Sequence, residues 1–490
     1  MWPHDERLPP IVSLAEAQAN GLRENRRFKD VPCMLLFFVV LAMCTSIIAI
    51  ALTYGDPDRL LLASMDDTVA EVEGFALGEL AILASDYKAI VCALLGAAVV
   101  ALVWFQLFKH LTMWMVYGTL GAAVLLLGTL GGYLYFVAQR FHSTELLFLA
   151  VLFWLLAIAA LIVGIVVRHK VEFTAVIVTE AGSVLQANPS ILAVVGITFL
   201  VYAACCALWV ISFLYLYTVP SNVHLIDTTT STELLNTLFN ANYRALFWLL
   251  LLGACWITPM IFAIEQYIIA SITLQHLEIS WGLRRYRNSI AAIATREAFT
   301  TSFGSLALGS SLVGVAYFLN IFRRYIASQR EFPWKDNWIV RLLMRFGTFL
   351  IEVVSDFAFI YVALTGSSFV SSSRAVMDLL RSELAQSIVM EIVLSYLLLM
   401  GQLAGTAIVT LGTVVVVELL HSHVGIITVL AIALSTFFLL AVVSKAILVT
   451  ANTMLVFVLQ DLKEHGANRD YKSPSSLRNL ILAKLVADAR

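Results

Sequence analysis

Residues 245–270 read ALFWLLLLGACWITPMIFAIEQYIIA, and this stretch decides the class of fold. Glu265 is the one acidic or basic side chain in it. The apolar core of a bilayer is about 30 Å thick, and roughly 20 apolar residues in an α-helix cross it. The stretch is long enough to do so, and it therefore predicts a transmembrane helix.

The composition of the whole chain agrees with this stretch. Of 490 residues, 60% are hydrophobic and 13% are charged, and the mean hydropathy is +0.89. Soluble domains carry about 25% charged residues, so a water-soluble globular enzyme is excluded. The net charge of −2 provides no basic field that would attract nucleic acid.

The same length criterion predicts an all-α, polytopic membrane protein with about ten transmembrane helices in one bundle. Residues 31–450 form this transmembrane domain, between a cytoplasmic N-terminal segment, 1–30, and a cytoplasmic tail, 451–490. The predicted spans lie near 31–53, 87–108, 112–138, 145–167, 190–216, 245–270, 300–322, 342–364, 386–413 and 425–450.

One further helix is predicted to lie on the cytoplasmic surface. Residues 171–187 alternate apolar and polar faces at helical spacing and end at Asn188-Pro189. The basic residues before the first span and the acidic loop 54–86 place both termini in the cytoplasm. The basic loop after residue 322 would then lie outside. In the alternative topology, 300–322 and 342–364 are re-entrant and eight segments span fully.

The motifs of common enzymes are absent from the sequence. It contains no GxxxxGK[ST] loop, HExxH pair, CxxC pair or GxSxG elbow, and no loop is long enough for a nucleotide-binding domain. All six cysteines fall within hydrophobic runs, which predicts neither disulfides nor a zinc site. We therefore expect a protein that is not an enzyme and that holds no cofactor or metal.

A carboxylate at membrane depth is costly, so Glu265 is a candidate functional residue. Trp256, Phe262 and Tyr267 lie on the same or neighbouring turns, and Pro259 is expected to interrupt the helix just before Glu265. Aromatic faces and a carboxylate are what an organic cation requires. The alternative is a glutamate of a core helix near the cytoplasmic interface. A second pair, Glu352 and Asp356, shares a helix face and either binds a cation or neutralises arginines of the preceding loop.

Small residues mark the places where helices can approach closely. They are dense in the seventh span and recur in the ninth, where they indicate either packing alone or a moving seam. The predicted packing or gating residues are Gly304, Ser305, Gly309, Ser310, Gly314, Gly401 and Gly405.

Several segments, in order along the chain, resemble the choline transporter-like family, a group of polytopic solute carriers that includes the fungal Pns-type proteins. The run TTSFGSLALGS at 300–310 is similar to its TTSFGSxxxGS signature. The other matching segments are FKDVP at 28–32, AFIYVALTGSSF at 358–369, Glu391 with LLMGQL at 398–403, and VFVLQDL at 456–462.

The resemblance implies alternating-access transport of choline or a related small organic cation, facilitated or coupled to protons. It implies a plasma membrane, or else an organelle membrane, as the location. Glu391, Tyr396 and Gln402 are expected to join the substrate site, with Glu391 coupled to substrate or proton movement. Two other functions stay open: a non-transporting scaffold whose basic tail binds a partner or anionic lipid, and a scramblase-like, lipid-handling protein.

Overall fold

The protein is seen here in a computed structural model. It describes residues 28–55, 168–218, 243–280, 290–328, 338–419 and 426–465, together with helical pieces between 93 and 158. The N-terminal segment before residue 28 and the tail after residue 465 lie outside the described residues. The predicted spans near 87–108, 112–138 and 145–167 are described only in part.

All regular structure in the described ranges is α-helical, which confirms the predicted fold class. The helices are α1 Val31–Tyr54, α2 Arg168–Ala187, α3 Ser190–Thr218, α4 Tyr243–Ser280, α5 Ile290–Phe299, α6 Phe303–Ser328, α7 Trp338–Thr365, α8 Phe369–Leu419 and α9 Ile426–His465.

Within these ranges, six helices are long and apolar enough to cross a membrane, and a bent pair raises the number to seven. The chain is therefore a multi-pass membrane protein, while the full count of ten spans stays a prediction. Each of the six segments overlaps a predicted span, and they are Val31–Thr53, Ser190–Leu216, Ala245–Leu277, Phe303–Tyr325, Leu394–Val416 and Thr428–Gln460.

The eighth and ninth predicted spans have different bounds in the structure. α7 ends at Thr365, and the axis turns by 109° before Phe369–Asp378. Gly366 permits this turn because it adopts a φ of 68°, which is left-handed and costs glycine little. The loop expected before the ninth span is absent, because α8 runs unbroken from Phe369 to Leu419. No proline occurs in that stretch to end the helix.

The expectation that Pro259 interrupts the sixth span is wrong. α4 is continuous from Tyr243 to Ser280, with Pro259 inside it. A proline removes one backbone hydrogen bond, and helices in membranes accommodate that loss when neighbouring groups satisfy the freed carbonyl.

The described helices belong to two compact units. The first comprises residues 1–84 and 190–378, the second residues 85–189 and 379–490. In the first unit, α4 is central and packs against α1, α3, α5, α6 and α7. Its apolar residues Leu246 and Leu250 form a core with Cys44, Ile47 and Ala51 of α1.

In the second unit, α2 packs against α9. The helix expected over 171–187 is present as α2, and its residues Ile177, Ala181, Val184 and Leu185 are buried. Its place on the cytoplasmic surface stays a prediction.

Candidate functional site

α4 and α6 meet along a seam of small side chains. A Cβ atom at Gly314 would lie 2.5 Å from the Cys255 carbonyl oxygen, so the two backbones touch there. The Trp256 indole N–H donates to the Ala307 carbonyl at 3.1 Å. Near the start of α6, the Ser302 hydroxyl donates to the Tyr267 hydroxyl oxygen at 2.9 Å. The seam therefore combines backbone contact with buried hydrogen bonds.

The other glycines of α6 face different neighbours. A Cβ atom at Gly309 would lie 2.5 Å from Cε2 of Phe369 and would also contact the ring of Phe359. A Cβ atom at Gly304 would lie 2.6 Å from the carbonyl oxygen of Asp30. In these places a side chain larger than hydrogen would collide with its neighbours. Whether the close contacts also form a moving seam stays a prediction.

The predicted cation-binding residues lie on two faces of α4. Trp256 and Tyr267 are 11 positions apart, which at about 100° per residue puts them within about 20° of one another. Both bond to the α6 side. Glu265 lies about 180° from Trp256 by the same geometry, and it is only 2% exposed. Phe262 faces α3, where its ring centroid lies 5.1 Å from that of Tyr202.

Trp256 belongs to an aromatic cluster that sequence reasoning missed. Phe37 of α1 makes edge contacts with Trp256 at 5.8 Å and with Phe303 at 5.6 Å between ring centroids. Phe38 stacks on Phe303 at 5.5 Å. The signal available in the sequence is the pair Phe37-Phe38 in the first span and Phe303 within the TTSFGS segment.

Polar side chains also link α4, α6 and α7. The Gln266 side-chain amide donates to the Asp356 carbonyl at 2.9 Å. The Tyr317 side chain of α6 interacts electrostatically with Glu352 and Asp356 of α7. Asp356 and Glu352 therefore lie at helix contacts of the first unit, on the side of α7 that faces α4 and α6.

The remaining predicted residues lie in the second unit. The side chain of Glu391 is outside the described residues, although its backbone is part of α8. Tyr396 is 38% exposed and Gln402 is half-buried. Gly401 is buried, and a Cβ atom at Gly405 would lie 2.8 Å from Leu440 of α9. The Leu440 side chain of α9 therefore contacts α8 at Gly405.

The described residues form no cluster of side chains of the kind that binds a metal ion. No group of three or more His, Cys, Asp or Glu side chains comes together among the residues that the structure describes. The arrangement instead offers a buried carboxylate, aromatic rings and closely packed small residues within apolar helices.

Comparison with known proteins adds two findings. The family described as plasma-membrane choline transporter matches residues 151–463. A CTL-like protein of Dictyostelium discoideum is 25% identical over 418 residues, which covers 78% of this chain and 75% of that protein. The family match extends over more than half of the sequence, and it includes α4, α6 and the α7–α8 bend described above. This chain belongs to the choline transporter-like family.

Proposed function

We propose that the protein moves choline or a related small organic cation across a membrane by alternating access. The observation that carries the proposal is the burial of Glu265, a carboxylate that is 2% exposed within a predominantly apolar spanning helix. Ionisable groups at membrane depth are costly and generally mark substrate or ion pathways. Family membership supplies the class of substrate.

A quaternary ammonium group has no N–H to donate, so it is recognised by negative charge and by aromatic faces. Glu265 supplies the charge. Phe262 lies three positions earlier on α4, at the spacing of neighbours on a helix surface, and it packs against Tyr202. We place the cation between these rings and the carboxylate. Trp256 and Tyr267 lie on the opposite face of α4, where they bond to Ala307 and Ser302, and in this proposal they hold α4 in place and do not touch the cation.

The membrane potential is a sufficient driving force. Each positive charge gains about 2.3 kcal/mol per 100 mV of inside-negative potential, so cation entry needs no ATP. In our proposal both termini are cytoplasmic and the protein lies in the plasma membrane. Glu391, Tyr396 and Gln402 form a second polar group, and any coupling to protons would take place there. The protein acts as a carrier, with no enzymatic step.

The test is uptake of labelled choline into proteoliposomes that carry an imposed inside-negative potential. We expect saturable uptake that tetramethylammonium inhibits and that 3,3-dimethyl-1-butanol, the uncharged carbon analogue of choline, leaves unchanged. Glu265→Gln should lower uptake at least tenfold, which corresponds to about 1.4 kcal/mol. Glu297→Gln makes the same chemical change in α5, outside the proposed site, and should keep the parental rate.

The alternatives give different results in the same vesicles. Absence of choline uptake by the well-folded parent protein would refute the proposal. Scrambling of a fluorescent phospholipid without choline uptake would indicate a lipid-handling protein. Absence of both activities would favour a scaffold.

A further inference from the structure

Within the first unit, the carboxylate of Asp30 joins the starts of three helices. Asp30 immediately precedes α1, yet its Oδ2 atom accepts a hydrogen bond from the Ser305 hydroxyl of α6 at 2.7 Å. The same oxygen accepts a second bond from the backbone N–H of Phe369, the first residue of α8, at 3.1 Å. One oxygen atom therefore links α1, α6 and α8.

α1 itself does not use this side chain. An aspartate at this position normally accepts a hydrogen bond from a backbone N–H of its own helix, but no such bond is present. The backbone of Asp30 is left-handed, with a φ of 51°, the one positive φ of a non-glycine residue in the described part of the chain. Such a conformation persists only where the surrounding structure imposes it, and it is common at functional sites.

The backbone around Asp30 is also held tightly against α6. Gly304 precedes Ser305, and a Cβ atom there would lie 2.6 Å from the Asp30 carbonyl oxygen and would contact the Lys29 carbonyl. Only glycine lets the start of α6 come this close. The contact brings Ser305 within reach of the carboxylate.

The third partner lies at the bend between α7 and α8. Hydroxyl groups line this bend, with Thr365 and Ser367 2.8 Å apart and Ser367 and Ser372 2.7 Å apart. The carboxylate of Asp30 sits at the amide end of α8, where the helix dipole favours a negative charge. Discontinuous helices form the substrate sites of many transporters, in which one part of the helical bundle moves against another around the site.

We propose that Asp30 is a positioning residue that acts as a latch in the transport cycle, an inference that rests on the proposed transport function. Its carboxylate stabilises the observed arrangement of α1, α6 and the first turns of α8 more than it stabilises the other of the two transport states. Transport requires that its bond to Ser305 or to the α8 backbone open. Because the latch favours one of two states, its loss must shift the balance between them.

Two variants weaken the latch in different ways. Asp30→Asn removes the charge but keeps the size, and asparagine tolerates a left-handed backbone. Ser305→Ala removes one of the two hydrogen bonds. The matched control is Ser311→Ala on the same helix. Among the residues that the structure describes, the Ser311 hydroxyl bonds within its own helix, to the Leu308 carbonyl at 2.7 Å.

The main measurement is the KM for choline from each side of the membrane, in oriented proteoliposomes. The apparent affinity on each side is reduced by the fraction of protein that is not open to that side. Weakening the latch should therefore lower one KM and raise the other, each at least threefold, in both variants. Ser311→Ala should leave both values unchanged. A purely structural role would not move the two values in opposite directions.

The second measurement is hydrogen exchange of the backbone amides in residues 366–376, which does not depend on transport. Asp30→Asn should accelerate it several-fold, and Ser311→Ala should not. Unchanged exchange would overturn the latch. The latch would also be overturned if exchange became faster while both KM values stayed fixed or moved in the same direction. Asp30 would then be a simple helix cap. If Asp30→Asn does not fold, Ser305→Ala decides. Failure of the parent to transport choline refutes the proposed function instead, and the latch with it.

Discussion

Replacing Gly309 with alanine tests the packing of α6 directly. A Cβ atom at this position would lie 2.6 Å from Cζ of Phe359 and 2.5 Å from Cε2 of Phe369. Carbon atoms in contact are normally about 3.5–4.0 Å apart, so each ring must retreat by about 1 Å. Both rings are buried, at 3% exposure each, and their centroids are 5.5 Å apart. Little space is therefore free to receive them.

The expected cost follows from two opposing effects. Overpacking of this kind destabilises a protein by about 1–3 kcal/mol. Alanine recovers up to about 1 kcal/mol, because glycine is the poorer helix former. We expect a net destabilisation of about 1–2 kcal/mol for Gly309→Ala, and a larger loss for Gly309→Leu. The same strain, applied to only one of two transport states, would change the ratio of their populations by a factor of about 5 to 30.

The assay compares Gly309→Ala with Gly196→Ala in α3, where a Cβ atom would meet nothing within 4 Å. Heating in detergent, followed by size-exclusion chromatography, gives the melting temperature of each variant. Choline uptake is measured in parallel. We expect Gly309→Ala to melt lower and transport more slowly than the parent, and Gly196→Ala to match or exceed the parent in melting temperature. A Gly309→Ala protein that melts at or above the parental temperature and transports normally would refute the reasoning.

Three further predictions concern hydrogen bonds and charge. Tyr267→Phe and Ser302→Ala each break the same buried hydrogen bond, and each should lower the stability of the protein by about 1–2 kcal/mol. The double variant should lose less stability than the sum of the two single losses, which a double-mutant cycle of thermal unfolding measures; strictly additive losses would contradict the bond. Trp256→Phe leaves the Ala307 carbonyl without its indole donor and should lower the melting temperature, whereas retention of parental stability would show that the bond contributes nothing. Glu391→Gln should flatten the dependence of choline uptake on pH between about 6 and 8 if this carboxylate carries protons; an unaltered pH profile would exclude that role.

The spanning helices were predictable because their signal is local. A long apolar run needs no partner to be recognised, and the helices that begin at Val31, Ser190 and Phe303 lie close to their predicted limits. The bend after Thr365 was not predictable in this way. The predicted spans 342–364 and 386–413 left a loop between them, but charged residues do not end a helix, and α8 continues through Arg374 and Arg381.

The candidate site was predictable in its composition and less so in its geometry. Helical spacing alone indicates that Glu265 and Trp256, nine positions apart, lie on opposite faces of a straight helix, and continuity through Pro259 preserves that relation. The partners could not be foreseen. Trp256 bonds to a carbonyl 51 positions away, and Asp30 accepts a bond from Phe369, 339 positions away. Such pairings depend on the packing of several helices and leave no periodic signal in one sequence.

The spacing of the glycines in α6 explains why this helix has so many close neighbours. Gly304, Gly309 and Gly314 are five residues apart, and each step of five turns the helix by about 140°. The three glycines therefore face different directions. Gly304 meets the segment before α1, Gly309 meets the rings of Phe359 and Phe369, and Gly314 meets the backbone of α4. A dimer-type seam repeats small residues every four positions on one face. Close contact on three sides restricts sliding of α6. For the transport cycle proposed above, we therefore expect more movement at the α7–α8 bend, where Gly366 adopts a left-handed φ and the carboxylate of Asp30 accepts a bond from the start of α8.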